Sequence, residues 1–505
     1  MRCLVTSALL CALSLFLNTS FSWSDEKFPE LPPEATKKPA CMFFGSPFGP
    51  NHMWDTWLFQ NDGTYYLFWL DGRPRWNAHA MAVSKDCVHW QHKGLIYRMK
   101  EGVTWLGTGH TWKSPNFADS GKFINNYSEW HKKKNAQEIH FAESTDLLNW
   151  KKVDEKYRFV QDTRWYKEKG RWDCIDTLPR PGGGLYGFWT ATPDPEKVPG
   201  AKFGFGESLD GIIWKALKPP VVKGLPKSNH VEVGGVHKVG DTYYVMLSHG
   251  FIFRSKSIHG PYEPQPKNFN LYTGKLYFPR FFHNHPDGLM TNCHLTGGAI
   301  RYAPLKRVII DNEGIMRAVW WKGNEALKHF SLEATVGNET TKGTITLLNE
   351  TFPAEDGVLM EGQIDPAAKK GDARRGVYFD VNKGDGLAFA LYRSGIEFGR
   401  LLGSGKTSDK PCSLEQGIPF PKGWSVNPNV AKPTALDRGI TFPAGTKIRI
   451  LAKEDCLEVY CNDHLMLIQR IPAWNGRVGL YQPAGRDFVK IDKVFSAGSA
   501  VRRQN

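Results

Sequence analysis

The chain has 505 residues, 65 Lys and Arg against 51 Asp and Glu, a net charge of +14 and a pI near 9.2. That length exceeds one ordinary hydrophobic core, so two domains are expected. The basic residues are scattered, with Lys132-Lys133-Lys134 the longest run, and no nucleic-acid motif accompanies them. The charge therefore reads as general attraction to acidic surroundings such as an anionic glycan, and nucleic acid is not an expected partner.

At the N-terminus, Arg2, the apolar run from Leu4 to Leu17 and the mostly small residues Ser20 to Ser24 have the layout of a secretory signal peptide, residues 1–24. The run is short for a membrane span, and no other stretch is apolar enough. The mature chain is expected to be secreted or periplasmic, with no membrane attachment after cleavage. Residues 25–40 are charged and Pro-rich and read as an N-terminal extension. Seven cysteines lie beyond the signal: Cys41, Cys87, Cys174, Cys293, Cys412, Cys456 and Cys461. They show no CxxC pair and no zinc spacing, and their odd number rules out complete pairing within the chain. Cys456 and Cys461 could bridge locally, but buried free thiols are the preferred reading.

From 41 to 328 the chain repeats. Ser84-Lys85-Asp86-Cys87-Val88-His89-Trp90 reads S-x-D-x-x-x-W, and it returns as Ser144 to Trp150 and as Ser208 to Trp214, with a degraded copy from Ser255 to Tyr262. Short strand-like runs and Gly/Asn/Asp turns between the copies predict one small β-sheet per repeat. Such sheets must stack to bury their faces, and radial stacking gives a β-propeller. Four repeats and the strand-rich stretch Cys293 to Trp321 argue for five blades. The first strand of each unit is expected to line the axis. The Ser-Asp-Trp element is expected further out, the polar groups bonding turn backbone and the Trp filling space between blades. Residues 329–505 hold further strand-like runs separated by turns, which predict a β-sandwich. Within it, 402–445 reads as a long loop and 497–505 as a disordered tail. The fold class is all-β.

Three acids stand just ahead of hairpins in the first, third and fourth units. Asp55 precedes Tyr65 by ten residues, Asp176 precedes Tyr186 by ten and Glu232 precedes Tyr243 by eleven. Asp173 rivals Asp176, which is preferred because its spacing matches that of Asp55. On innermost strands, the three carboxylates would meet in one funnel. Buried carboxylates are costly without partners, and like charges at close range push pKa values apart. One group can then stay protonated while another stays ionised, as glycoside hydrolysis requires. His79 and His110 are candidate sugar contacts. Trp54, Trp57, Trp105 and Trp112 are candidate stacking platforms, and Asp173 is a further substrate contact. Gly182-Gly183-Gly184 is a turn rather than a phosphate loop, since no helix with Lys-Ser/Thr follows. No metal or cofactor is expected.

Together these features resemble the five-bladed β-propeller glycoside hydrolases of family 32 and the related families 43 and 68. Trp54-Asp55 before a hairpin resembles the family 32 nucleophile segment. Trp76 to Asp86, ending at Trp90, resembles its W-G-H-A-x-S-x-D-x-x-x-W stretch. Cys174-Ile175-Asp176 stands where the family has Arg-Asp-Pro, and Val231-Glu232-Val233 where it has Glu-Cys. The resemblance implies Asp55 as nucleophile or general base, Glu232 as general acid/base and Asp176 as transition-state stabiliser. It also implies a furanoside or another polysaccharide-derived sugar as substrate. Trp54, Ile175, Thr177 and Val233 depart from the family pattern at groups that hold fructose, so a family 43-like pentosidase fits as well as a fructosidase. A non-catalytic carbohydrate-binding propeller and a glycoside phosphorylase are the alternatives.

Overall fold

The structure is a computed structural model. It describes residues 30–498 apart from 73–75, 226–230, 248–249, 273–275, 342–343, 370–371, 373–374, 383–384, 402–413, 416–434 and 438. The signal segment, most of the 402–445 loop, Cys412 and nearly all of the tail lie outside these residues. No helix among the described residues is long and apolar enough to cross a membrane. The N-terminal extension contributes one short helix, Pro33–Lys37.

Among the described residues, five antiparallel sheets have as innermost strands β1 (Trp54–Asn61), β2 (His110–Lys113, preceded in its sheet by the two-residue strand Trp105–Leu106), β3 (Trp172–Pro179), β4 (Val233–Val239) and β5 (Leu276–Phe282). These five strands touch in a closed cycle, β1 to β2, β2 to β3, β3 to β4, β4 to β5 and β5 back to β1. The sheets therefore form a ring with these strands at the axis, which is the propeller arrangement. Large aromatics fill the space around it, and Trp57, Trp69, Trp90, Trp172 and Trp189 are fully buried.

The repeated motif builds the same turn three times. Asp86 Oδ1 accepts from the Val88 and His89 amides at 2.9 and 2.8 Å. Asp146 does the same for Leu148 and Asn149, and Asp210 for Ile212 and Ile213. Each Trp then donates its indole N–H to the carbonyl three residues back: Trp90 to Cys87, Trp150 to Leu147 and Trp214 to Gly211, at 3.0–3.2 Å. The degraded copy keeps the logic with other groups. Ser257 Oγ accepts from the His259 amide, and the Tyr262 hydroxyl donates to Ile258 O. Short polar side chains satisfy the turn backbone, and the aromatic side chain closes it.

The fifth sheet does not stop at the ring. Its strand Met316–Trp320 pairs with His464–Arg470 through Val319 and His464. The sheet then runs on through Cys456–Cys461, Thr446–Lys453, Val358–Ile364, Val489–Ser496 and Phe330–Leu332. A second sheet packs on it, containing Ile345–Thr351, Arg477–Tyr481, Gly376–Asn382, Asp385–Tyr392 and Gly395–Leu401. Val358, Met360, Phe379, Phe389, Ile450 and Val459 form the core between them. This is the β-sandwich. Where the sandwich meets the ring, Lys306 and Glu458 form a fully buried ion pair. Lys306 Nζ also donates to Pro304 O at 2.6 Å, and the Tyr460 hydroxyl donates to Glu458 at 2.7 Å. The six described cysteines are free thiols, Cys456 and Cys461 included.

Candidate active site

Four of the five axial strands carry a β-bulge near their N-terminal ends. The register shifts between Trp54 and Trp57, between Asp173 and Ile175, between Val233 and Gly235, and between Tyr277 and Arg280. Left-handed backbone marks each one: Asp55 at φ 50°, Cys174 at 41° and Phe278 at 40°, with Gly235 at 151°. A bulge bends its strand and re-aims the side chains beside it, and bulges with such backbone cluster at functional sites. The neighbouring blades hold these bends in place. Asn292 Nδ2 donates to Thr56 O and Oγ1, the Ile175 amide donates to Asn126 Oδ1, and the Val233 amide donates to Thr190 Oγ1.

The bulges assemble three carboxylates: Asp55 on β1, Asp173 on β3 and Glu232 immediately before β4. Arg171 joins two of them, with Nη1 2.8 Å from Glu232 Oε1 and Nη2 3.0 Å from Asp173 Oδ2. Its Nε donates to Gln137 Oε1 at 2.9 Å. Ser128 Oγ donates to Asp173 Oδ1 at 2.6 Å and accepts from Gln137 Nε2 at 2.7 Å. Asp55 has no such support, and its buried Oδ1 has no hydrogen-bond partner among the described residues. Burial, then the charges of Glu232 and Asp173, push its carboxyl up to about 8 against the pull of Arg280 and Arg171. Burial also raises Asp173, while Arg171 and Ser128 oppose that shift. Of the three acids, Asp55 is thereby the one placed to keep a proton near neutral pH.

Asp176 lies in a separate knot. His110 Nε2 is 3.0 Å from its Oδ1, His283 Nε2 is 3.2 Å from both oxygens, and the Val236 amide donates to Oδ2 at 2.6 Å. His237 stacks on His283 at 5.5 Å, with the two Nδ1 atoms 3.3 Å apart. Although burial opposes it, the two imidazoles and the amide hold Asp176 down at about 2. His110, Asp176 and His283 bring potential ligand atoms within 4.8 Å of one another. His283 and the Val236 amide already bond the Asp176 oxygens, and His110 lies against them at 3.0 Å.

No family model and no curated protein matches this sequence. Solved structures do. Sucrose-6-phosphate hydrolase from Lactobacillus gasseri superposes with a TM-score of 0.65 at 14% identity, covering 92% of this chain and 93% of that one. The exo-inulinase from Aspergillus awamori gives 0.64 at 13%, covering 92% and 99%. The Bombyx mori family 32 β-fructofuranosidase BmSUC1 gives 0.63 at 10%, covering 92% and 95%. The chain has the family 32 fructofuranosidase fold.

Within the fructofuranosidase fold, several sequence-predicted residues take other places. Asp173 is the β3 acid that stands with Asp55 and Glu232, whereas Asp176, the acid preferred from the spacing, is held between two histidines. His110 is buried in that knot, and burial drives its imidazole down to about 3. His79 is fully buried, bonded through Nε2 to Gly107 O at 2.9 Å and packed on Trp57 and Tyr97. Trp112 is buried between blades against Phe141 and Trp214, and Trp57 stacks inside the core on Phe68. None of these four is open to a sugar. Trp54 is nearly buried, donates to Asn51 O and meets Trp76 and His294 edge-on. Trp105 is half-exposed and stacks on Trp130 at 4.8 Å.

Sequence reasoning missed Arg171, Ser128, Gln137 and Arg280. Arg171 was open to discovery, since it lies two residues before Asp173 and so shares its strand face. Ser128, Gln137 and Arg280 come from other strands, and no local pattern announces them.

Proposed function

We propose that this protein is a secreted or periplasmic glycoside hydrolase that cleaves a furanoside or another polysaccharide-derived sugar. Asp55 is the nucleophile, Glu232 the general acid/base and Asp173 the carboxylate that bonds sugar hydroxyls and steadies the transition state. The observation that carries this reading is the meeting of three carboxylates, Glu232 and Asp173 joined by Arg171 and Asp55 pushed up to about 8 by burial and then by the charges of the other two. Glycoside cleavage needs one protonated and one ionised carboxyl across the scissile bond, and a protonated Asp55 beside Glu232 supplies that pair. In the ligand-free site the proton rests on Asp55 while Arg171 holds Glu232. Catalysis then moves the proton to Glu232 as the glycosidic oxygen arrives, and Arg171 stays with Asp173.

The structural relatives act in keeping with this reading. The Schwanniomyces occidentalis fructofuranosidase is captured with fructosylnystose, and the Cichorium intybus fructan 1-exohydrolase with 1-kestose. The test is a panel of aryl glycosides, fructans, arabinans and xylans run on the wild type and Glu232→Gln. A general acid matters most when the leaving group is poor. The variant is expected to lose natural substrates by about a thousandfold and to lose activated aryl glycosides far less. Equal hydrolysis by both proteins would refute the assignment of Glu232. Sugar binding without turnover in either would favour a carbohydrate-binding propeller.

A further inference from the structure

The strands Phe123–His131 and Ala136–Ser144 pair as a hairpin, with Tyr127 opposite His140, Glu129 opposite Glu138 and His131 opposite Ala136. Side chains alternate across a strand. One face of the hairpin carries Asn126, Ser128 and Gln137, which serve β3 and Asp173. The other face carries Glu129, His131 and His140. Glu129 is 1% exposed and His140 3% exposed. Glu129 Oε2, His131 Nε2 and His140 Nε2 are each shielded from solvent and form no hydrogen bond. The carboxylate oxygen is 3.4 Å from the His140 nitrogen and 3.6 Å from the His131 nitrogen, and all three atoms lie within 4.8 Å of one another.

We propose that Glu129, His131 and His140 bind one divalent transition-metal ion of the zinc class. Zinc holds nitrogen and oxygen ligands at about 2.0–2.2 Å in a tetrahedron, which sets those ligands about 3.3–3.5 Å from each other. The carboxylate oxygen stands at nearly that spacing from each imidazole nitrogen without a hydrogen bond to either, and the three atoms lie within 4.8 Å of one another. Two imidazoles and a carboxylate suit zinc, cobalt, nickel or copper rather than calcium or magnesium. Glu138 Oε2 is 3.8 Å from the His131 nitrogen, but its carboxylate pairs with Lys134 and Arg158, so the fourth position is left to water.

Two ammonium groups neutralise Glu129 when no ion is bound. Lys100 Nζ is 3.3 Å from Oε2, and Lys152 Nζ is 3.6 Å from Oε1. Both also pair with Glu155, which lies outside the cluster. Lys100 is 40% exposed and can stay with Glu155 when an ion takes its place at Glu129. The bound ion would brace the hairpin whose opposite face positions Asp173.

The test uses the full-length protein stripped with a chelator. Zinc is titrated by calorimetry, and cobalt by its visible ligand-field bands. One equivalent is expected to bind at micromolar concentration or tighter, and to raise the melting temperature. His131→Gln lies at the rim of the cluster and is expected to keep the fold by circular dichroism. It should weaken binding at least about 100-fold, more than losing a residue that merely orients a ligand. Lys100→Gln removes the competing cation and should tighten binding by about tenfold. His283→Gln alters the Asp176 knot and should leave binding unchanged. The proposal is overturned if the wild type binds no stoichiometric ion, if His131→Gln binds as the wild type does, if Lys100→Gln binds no tighter, or if the loss falls on His283→Gln.

Discussion

Two acids three residues apart on β3, and one acid on β1, meet three different fates. Asp176 receives a backbone amide and two imidazoles and is held ionised down to about 2. Asp173 receives Ser128 and Arg171, and burial still raises it. Asp55, buried beside Glu232 and Asp173 with an unpartnered oxygen, rises to about 8. A carboxyl raised on folding favours its protonated form in the folded state. Its contribution to stability is full below the ordinary carboxylate value near 4 and is lost as pH rises through about 8. Asp55→Asn is therefore expected to stabilise the protein at pH 9 more than at pH 5, while abolishing hydrolysis. Thermal melts of both proteins across that range check this. A difference that does not grow with pH would mean that Asp55 titrates as an ordinary surface acid. Such a gain in stability on losing function is the usual mark of an active-site acid.

At the scale of elements, loop length decided what the sequence could reveal. The hairpin after β1 closes with Asn61 opposite Thr64, and the one after β4 with Val239 opposite Thr242. The hairpin after β3 closes with Pro179 opposite Leu185, around a turn that includes Gly182-Gly183-Gly184 and is three residues longer. Counting back from Tyr186 thus lands on Asp176, and subtracting the extra turn lands on Asp173. Candidate positions were legible, but the register was not, because it depends on pairing across the sheet. His79 and Trp112 misled for a related reason, since aromatic content does not say which face of a strand a ring occupies. The repeated Asp of the S-x-D-x-x-x-W turn was legible because its work is local. Replacing Asp86, Asp146 or Asp210 by Ala removes two side chain–backbone bonds at one turn. Each change should cost about 1–2 kcal/mol, additively because the turns are far apart in the ring. Denaturant titration of the single and triple variants measures this. Gly107 makes a sharper test of the site. A Cβ there would lie 2.0 Å from Ser128 Oγ and 2.5 Å from Asp173 Oδ1. Gly107→Ala is expected to lower kcat about 100-fold by displacing Asp173, whereas an unchanged kcat would show that Asp173 needs no fixed position.

Across the whole molecule, ring and sandwich share a sheet. The fifth blade continues into the sandwich at Val319 and His464, and the buried Lys306–Glu458 pair sits at the junction. The sequence announced both domains through the repeat and the later strand runs. It did not announce their joining, because the strand that completes the junction lies about 145 residues downstream in the chain. The two parts are expected to unfold in one calorimetric transition, and two separated transitions would show that the shared sheet does not couple them. Glu458→Ala leaves Lys306 buried without its partner and should lower stability by about 3–5 kcal/mol. The account rests above all on Asp55, Asp173 and Glu232 forming one hydrolytic centre. Its most direct test is steady-state hydrolysis of sucrose, inulin, arabinan and xylan oligosaccharides by the wild type, Asp55→Asn, Asp173→Asn and Glu232→Gln. The account predicts turnover of at least one sugar by the wild type and a loss of about a thousandfold or more in each variant, with the fold intact. Turnover that survives within about tenfold in any of the three would contradict it.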